Sequence, residues 1–136
     1  MAIKTSKYTP GDYVFKVIRS FSGFGLKTES TIPKGVCVIE YTGRVISKEE
    51  EERSRGRYLF EVSKTKTIDG SARSNTARYI NHSCKPNCEP IIHSGKVLIM
   101  STRRIEAGEE LTYDYGEEYV AEHINPCKCG HCTPSI

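Results

Sequence analysis

Short apolar runs alternate with turn-forming residues along most of the chain. The runs are rich in β-branched and aromatic side chains, and their length and spacing are typical of strands rather than helices. Many short strands with frequent turns predict a compact, mostly β domain. The predicted strands are residues 13–18, 36–41, 58–62 and 67–70, followed by a hairpin of residues 88–92 and 96–102 with His93-Ser94-Gly95 at its tip.

Helical signals are few and local. Ser47-Lys48-Glu49-Glu50 is a capping box, and it predicts a short, charged, exposed helix. Residues 74–78 favour a single helical turn. Gly23 and Gly25 permit a sharp turn and the close approach of a ligand to the main chain, although such a pair is by itself typical of a plain turn. It lacks the third glycine and the helix of a dinucleotide-binding fingerprint.

Residues 78–88 combine aromatic, amide, imidazole and thiol groups with a proline. Pro86 prevents a continuing helix, and Asn81, Ser83 and Asn87 favour turns through side-chain bonds to the backbone. Each of these polar groups needs a partner, so the stretch is either a functional site or a well-bonded structural loop.

The composition is that of an ordinary soluble domain, with 27% charged and 37% hydrophobic residues among 136. A net charge of +3 is too small to predict nucleic-acid binding, and no apolar run approaches membrane-spanning length. Residues 106–122 contain seven acidic residues and no Lys or Arg. This acidic segment would suit a basic partner, although a charge run is more often a solvated surface.

Six cysteines and the lack of an apolar leader at the N-terminus favour a reducing compartment, with metal-binding or reactive thiols rather than disulfides. Cys127, Cys129 and Cys132 lie close together around Gly130, and this spacing predicts a tetrahedral zinc site. A closed site needs a fourth ligand. The candidates are Cys84, Cys88, His131 and Cys37.

Several aromatic residues lie next to predicted turns. Tyrosines that line a narrow slot would hold a cationic alkyl chain by apolar contact and cation–π attraction, although any single one of them is more often found at the edge of the core with a solvated hydroxyl. Tyr113 and Tyr115 would share one face of a strand. The aromatic set is Tyr41, Tyr58, Phe60, Tyr79, Tyr113 and Tyr115.

Taken together, these motifs resemble the SET-domain protein lysine methyltransferases. The resemblance covers about residues 13–132, and its five landmarks occur in the family's order. The fourth and fifth are highly specific, whereas the first two would mean little alone. The landmarks are Gly23-Phe24-Gly25, Tyr41-Thr42-Gly43, Tyr58-Leu59-Phe60 with Ile68-Asp69, the stretch 78–88, and residues 109–116.

The resemblance implies several small curved sheets and a C-terminal pseudoknot that brings residues 81–82 against residues 113–115. It also implies that S-adenosylmethionine and the substrate lysine enter from opposite faces and meet in a narrow channel. Tyr115 would be the catalytic tyrosine, while Tyr41 lines the channel and Tyr113 limits the product to mono- or dimethyl-lysine, predominantly monomethyl-lysine. The cofactor would contact Gly23, Phe24, Gly25, Tyr58, Asn81, His82 and Tyr115.

The same resemblance divides the chain into an N-terminal tail (1–12), a SET domain (13–116) and a zinc-binding post-SET tail (117–136). It implies Cys84 as the fourth ligand beside Cys127, Cys129 and Cys132. The family's tail has four residues before its last cysteine, whereas here only two separate Cys129 from Cys132, so His131 is an alternative ligand.

The function predicted from these motifs is methylation of a lysine in a basic protein, such as a histone tail, without direct contact to nucleic acid or a membrane. We expect an intracellular protein, at chromatin in a eukaryote and in the cytoplasm or delivered to a host from a bacterium. One alternative is a non-catalytic, zinc-stabilised interaction module, but the presence of Gly23, Asn81, His82 and Tyr115 argues against it. A zinc-dependent nucleic-acid binder is disfavoured by the near-neutral charge.

Overall fold

The computed structural model describes residues 8–20, 23–53 and 58–116. Within these ranges the chain forms short strands, one α-helix and one 3₁₀ helix, as the mostly β prediction requires. The elements are β1 (Phe15–Ser20), β2 (Gly23–Thr28), β3 (Cys37–Tyr41), β4 (Arg44–Ser47), α1 (Lys48–Arg53), β5 (Leu59–Glu61), β6 (Lys66–Asp69), the 3₁₀ helix (Thr76–Tyr79), β7 (Asn81–His82), β8 (Cys88–His93), β9 (Lys96–Ser101) and β10 (Thr112–Tyr113).

The strands form four small sheets. Strands β1 and β2 pair as an antiparallel hairpin. Two three-stranded antiparallel sheets have the orders β3-β9-β8 and β4-β6-β5. The fourth sheet is a parallel pair of β7 and β10. Several small sheets of this kind confirm the fold that the SET resemblance predicted.

The core lies on both sides of β9. This strand is central in its sheet, and five of its six residues are buried, which explains its continuous apolar run. One face of β9 joins the main core with Leu26, Ile32 and Leu111. The other face carries Leu98 and Met100 with Cys37, and Tyr8 packs against this smaller cluster. Part of the expected N-terminal tail therefore lies against the β3-β9-β8 sheet.

Turn and capping residues in the sequence correctly predicted the β8–β9 hairpin and the start of α1. Ser94 and Gly95, with φ of 52° and 76°, form the two-residue turn of the β8–β9 hairpin at the predicted tip. Ser47 accepts a hydrogen bond from the Glu50 N–H at 3.2 Å, as the capping box predicted, and α1 buries none of its residues. Neither helix in the described ranges has the length or apolar character to cross a membrane.

Other elements differ from the sequence prediction. Strand β1 begins two residues later than expected, and the glycine pair expected in a turn instead opens β2. Gly23, with φ of 109°, makes the bend, and Gly25 is already inside the ladder opposite Ile18. Strand β4 was not predicted, because it is short and leaves Val45 exposed.

The parallel β7–β10 pair positions the site. Asn81 lies opposite Thr112, and His82 lies opposite Tyr113. The buried side chain of Asn87 fixes this junction, because its Nδ2 donates to the Glu110 carbonyl at 2.9 Å and its Oδ1 accepts from the Thr112 N–H at 2.9 Å. The core and closing landmarks of the sequence therefore meet, as the pseudoknot of the resemblance requires.

Candidate functional site

A cavity of about 230 Å³ opens beside the β7–β10 pair. Four tyrosines that the sequence analysis singled out come together in its wall, although they are far apart in the chain. Leu59, Glu61 and Arg78 also line it, and none of the three was predicted as a site residue. The full lining is Tyr41, Tyr58, Leu59, Phe60, Glu61, Arg78, Tyr113 and Tyr115.

Tyr41 ends β3 and is buried, and its hydroxyl donates to the Tyr58 carbonyl at 2.8 Å. Position 70, which faces the Tyr41 ring, must be glycine because a Cβ there would collide with the ring. Asn75 closes the same corner by donating to the Gly70 carbonyl and accepting from the Thr42 N–H, both at 3.0 Å. The Tyr41 ring is therefore fixed by packing and by hydrogen bonds.

Tyr113 and Tyr115 lie side by side, with ring centroids 4.9 Å apart. The Tyr115 N–H donates to Nδ1 of the buried His82 at 3.0 Å, and the Tyr115 hydroxyl donates to the Ile80 carbonyl. Because Nδ1 accepts a bond, the ring proton of a neutral His82 lies on Nε2. The His82 ring thus anchors the backbone N–H of Tyr115, while the Ile80 carbonyl fixes the Tyr115 hydroxyl.

A second, more open region adjoins β7. The Asn81 Nδ2 donates to the Phe24 carbonyl and to Glu110 Oε2, both at 2.8 Å, whereas its Oδ1 has no hydrogen bond among the described residues. A Cβ at Gly25 would come within 2.7 Å of the Glu110 carboxylate, so a larger residue there would displace that side chain from Asn81. Phe24 is 55% exposed and packs edge-on against Tyr79, with centroids 6.1 Å apart.

This second region suits a ligand with an apolar ring and a cationic group. The exposed Phe24 ring supplies an apolar contact, and the Asn81 Oδ1 is a vacant acceptor beside the Glu110 carboxylate. A Cβ at Gly23 would have no atom within 4 Å, so there is open space next to the main chain. The residues that the sequence analysis assigned to a cofactor, Gly23, Phe24, Gly25 and Asn81, are thus together here. His82 is buried in the β7–β10 pair, and Tyr58 lies in the cavity wall.

Arg78 is the positively charged residue of the cavity lining, and the sequence analysis did not predict it as a site residue. Its guanidinium carbon lies 4.4 Å from the Tyr58 ring centroid and 5.3 Å from that of Tyr79, and Nη1 donates to the Ser71 carbonyl at 2.7 Å. A hydrogen bond with Tyr58 is the main factor that raises the Arg78 pKa. Its place as the first residue of the 78–88 motif was the only available signal, and it does not indicate where the side chain points.

Three cysteines lie in the described ranges. Cys37 and Cys88 are buried, and burial raises the pKa of the Cys88 thiol to about 12. Cys84 is exposed, with its Sγ 3.4 Å from His82 Nε2. Since a metal ligand must be deprotonated and reachable, these environments favour Cys84 over the other two as a zinc ligand.

The remaining predicted ligands, Cys127, Cys129 and Cys132, lie outside the described residues, as does His131. Within the described ranges there is no group of three metal-ligating side chains. The zinc site therefore stays a prediction.

Comparison with known proteins gives one family and a consistent set of relatives. The model of the SET domain matches residues 23–116. The chain is 40% identical over 121 residues to human histone-lysine N-methyltransferase 2D, covering 79% of this chain and 2% of that protein. It is 39% identical over 142 residues to trithorax of Drosophila virilis, a histone-lysine N-methyltransferase, covering 96% of this chain and 4% of that protein.

A third relative is the mouse histone-lysine N-methyltransferase specific for H3 lysine-36. It is 36% identical over 135 residues, which are 89% of this chain and 5% of that protein. The matched segments are therefore only a small part of these relatives, all of which are much longer proteins.

Proposed function

Because the chain belongs to the SET-domain family, we propose that it is a protein-lysine N-methyltransferase that uses S-adenosylmethionine. The observation that carries the proposal is the tyrosine-lined cavity, which lies next to the open region around Gly23 and Asn81. One region has the lining to take a lysine side chain, and the other has the groups to take the cofactor.

The cavity suits a lysine because its wall is largely aromatic. The aliphatic stem gains apolar contact with the rings of Tyr41, Phe60 and Tyr113, and ring faces attract the cationic product. The reaction needs a neutral amine, whose ordinary pKa as a lysine side chain is about 10.4. Removal from water in such a cavity lowers that pKa and favours the reactive form.

Asn81 and Phe24 would hold the cofactor. The Asn81 Oδ1 and the Glu110 carboxylate can accept from its ammonium group, and Phe24 can pack against an apolar part. His82 acts indirectly, by fixing the backbone at Tyr115. S-adenosylmethionine supplies a methyl group on a positively charged sulfur, which keeps the bonding electron pair when the amine nitrogen forms its bond to the methyl carbon.

Tyr115 would orient the attacking amine. Its hydroxyl proton is already directed to the Ile80 carbonyl, so the oxygen can accept a hydrogen bond from an amine N–H. That bond would turn the nitrogen lone pair away from the tyrosine and toward the methyl group. Alignment of this kind accounts for much of the rate of an in-line displacement.

The substrate class and product follow from the same site. The relatives are named for histone lysines, so we infer a histone or other basic protein tail as the substrate. Tyr113 occupies the position that limits the product in the family, and its buried ring beside Tyr115 supports mainly monomethylation. We further infer one structural zinc held by Cys84, Cys127, Cys129 and Cys132, with His131 as the alternative to Cys132.

The test is transfer of a labelled methyl group from S-adenosylmethionine to a panel of histones and other basic proteins, with mass spectrometry to locate the lysine. Tyr115→Phe should lower kcat by at least ~10²-fold and still bind the cofactor, because only the hydroxyl is lost. A protein that binds neither cofactor nor substrate after zinc loading would be the non-catalytic module instead.

A further inference from the structure

Arg78 brings a permanent charge into the wall of the proposed lysine cavity. An arginine stays protonated throughout the pH range in which a lysine methyltransferase works. The guanidinium stacks on Tyr58 and is anchored to the Ser71 carbonyl, so its position is fixed. No carboxylate pairs with it among residues 8–20, 23–53 and 58–116.

The Arg78 Nε supports this description. It is buried and has no hydrogen-bond partner, alone among buried side-chain nitrogen and oxygen atoms of the described residues. An unsatisfied buried donor destabilises a fold. The guanidinium is held at the cavity wall by its stacking on Tyr58, by a hydrogen bond with Tyr58 and by the bond to the Ser71 carbonyl.

Other charges around the cavity do not cancel it. The Glu61 carboxylate is the acidic group of the lining, but its side chain is 65% exposed and it already lies 3.6 Å from the Lys48 Nζ. Lys48 also lies 3.1 Å from the Glu51 carboxylate, so it is shared between two acidic groups. Water screens the exposed Glu61 more than it screens the half-buried guanidinium. The charged and titratable groups that face or adjoin the cavity are Tyr41, Tyr58, Glu61 with Lys48, Arg78, Tyr113, Tyr115, and His82 with Asp114.

We propose that Arg78 is an electrostatic positioning residue of the lysine site, whose fixed positive charge disfavours the ammonium form of the incoming lysine and so favours the neutral nucleophile. This inference rests on the proposed function. A cation next to a protonated amine raises the free energy of the ammonium form, so the amine loses its proton at lower pH. The charge also disfavours retention of the cationic methylated product.

The experiment is the pH dependence of kcat with a saturating lysine peptide and saturating S-adenosylmethionine. In Arg78→Met the acid limb should move up by about one pH unit, the effect of one charge several ångströms away at a protein's effective dielectric. Arg78→Lys keeps the charge and should move it less. Arg73→Met removes an exposed arginine from the loop that precedes the 3₁₀ helix, outside the cavity, and should leave the profile unchanged.

A binding measurement tests the same idea without turnover. Below the acid limb, the unmutated protein should prefer a peptide with norleucine in place of the target lysine. That preference should fall about tenfold in Arg78→Met, as one pKa unit requires. Arg78→Gln, which can still donate to the Ser71 carbonyl, replaces Arg78→Met if the latter does not fold.

The outcomes separate the two claims. An unmutated protein that methylates no peptide at any pH overturns the proposed function, and the role of Arg78 with it. An active protein in which Arg78→Met and Arg78→Lys lose kcat equally, with the acid limb and the norleucine preference unchanged, overturns the role of Arg78 alone. That result would assign Arg78 to the packing of Tyr58.

Discussion

At the scale of single residues, the side chains at the site are held mainly by backbone groups. Tyr41 bonds to the Tyr58 carbonyl, Tyr115 to the Ile80 carbonyl, and Asn81 to the Phe24 carbonyl. Each of these bonds fixes one polar atom of a site residue. A substitution that removes one hydroxyl can therefore change the chemistry without dismantling the site.

Tyr113→Phe should raise the degree of methylation from mainly monomethyl-lysine toward di- and trimethyl-lysine. The phenyl ring keeps its packing against Tyr115, and loss of the hydroxyl opens room for an added methyl group. Mass spectrometry of the peptide product measures the change. Tyr79→Phe, outside the cavity lining, is the matched control. Trimethyl-lysine from the unmutated protein would refute the assigned role of Tyr113.

At the scale of elements, the decisive contact is the short parallel pair β7–β10, which depends on Asn87. Two pairs of facing residues in the ladder and the buried side-chain amide of Asn87 hold the segment that carries Tyr113 and Tyr115. Because a ladder this short has little stability of its own, the side chain of Asn87 contributes a large part of the stability of the β7–β10 junction.

Asn87→Ala should lower the free energy of unfolding by about 2–4 kcal/mol, because it leaves the Glu110 carbonyl and the Thr112 N–H without partners. Chemical denaturation measures the loss. Glu89→Ala, an exposed change on β8, should cost much less. Equal stability of the two variants would show that water or a local shift satisfies both backbone groups.

The turn before β10 makes part of the folding stability depend on pH. Arg103 lies 2.9 Å from the Glu109 carboxylate, and together with the Glu106 N–H it lowers the Glu109 pKa. A lowered folded-state pKa gives stability that is present above the unfolded value of about 4.3 and is lost as the pH falls through the folded value.

Glu109→Gln should therefore cost about 0.5 kcal/mol at neutral pH, since the pair is partly exposed, and should flatten the loss of stability in acid. Urea denaturation at neutral and acid pH tests this. Glu106→Gln is the control, because Glu106 and its partner Arg104 are both mostly exposed. An unchanged acid profile in Glu109→Gln would contradict the assignment.

Sequence signals for the elements succeeded where structure is local. The tip at Ser94-Gly95 and the cap at Ser47 depend on neighbouring residues, and both were found. Strand β4 has too few alternating residues to give a periodic signal, and the β7–β10 pair joins segments about thirty positions apart. Only the family resemblance indicated that second contact, and neither source located Arg78 in the cavity.

At the scale of the whole molecule, the predicted zinc site would join Cys84, next to the β7–β10 pair, to three cysteines outside the described residues. Purified protein should contain one zinc per chain, and a chelator should lower both its Tm and its methyl transfer. Cys84→Ser should lose most of the metal, whereas Cys37→Ala should keep it. Metal analysis that gives full zinc content in Cys84→Ser would exclude Cys84 as a ligand.

The distance along the chain between β7 and β10 also sets the order of events during synthesis. Asn81 and His82 leave the ribosome first, and for about thirty further residues they have no strand to pair with and no Tyr115 backbone to bind. The β8–β9 hairpin, whose contacts are local, can form in that interval. The tyrosine-lined cavity can therefore be completed only after Thr112–Tyr113 has been made and pairs with Asn81–His82.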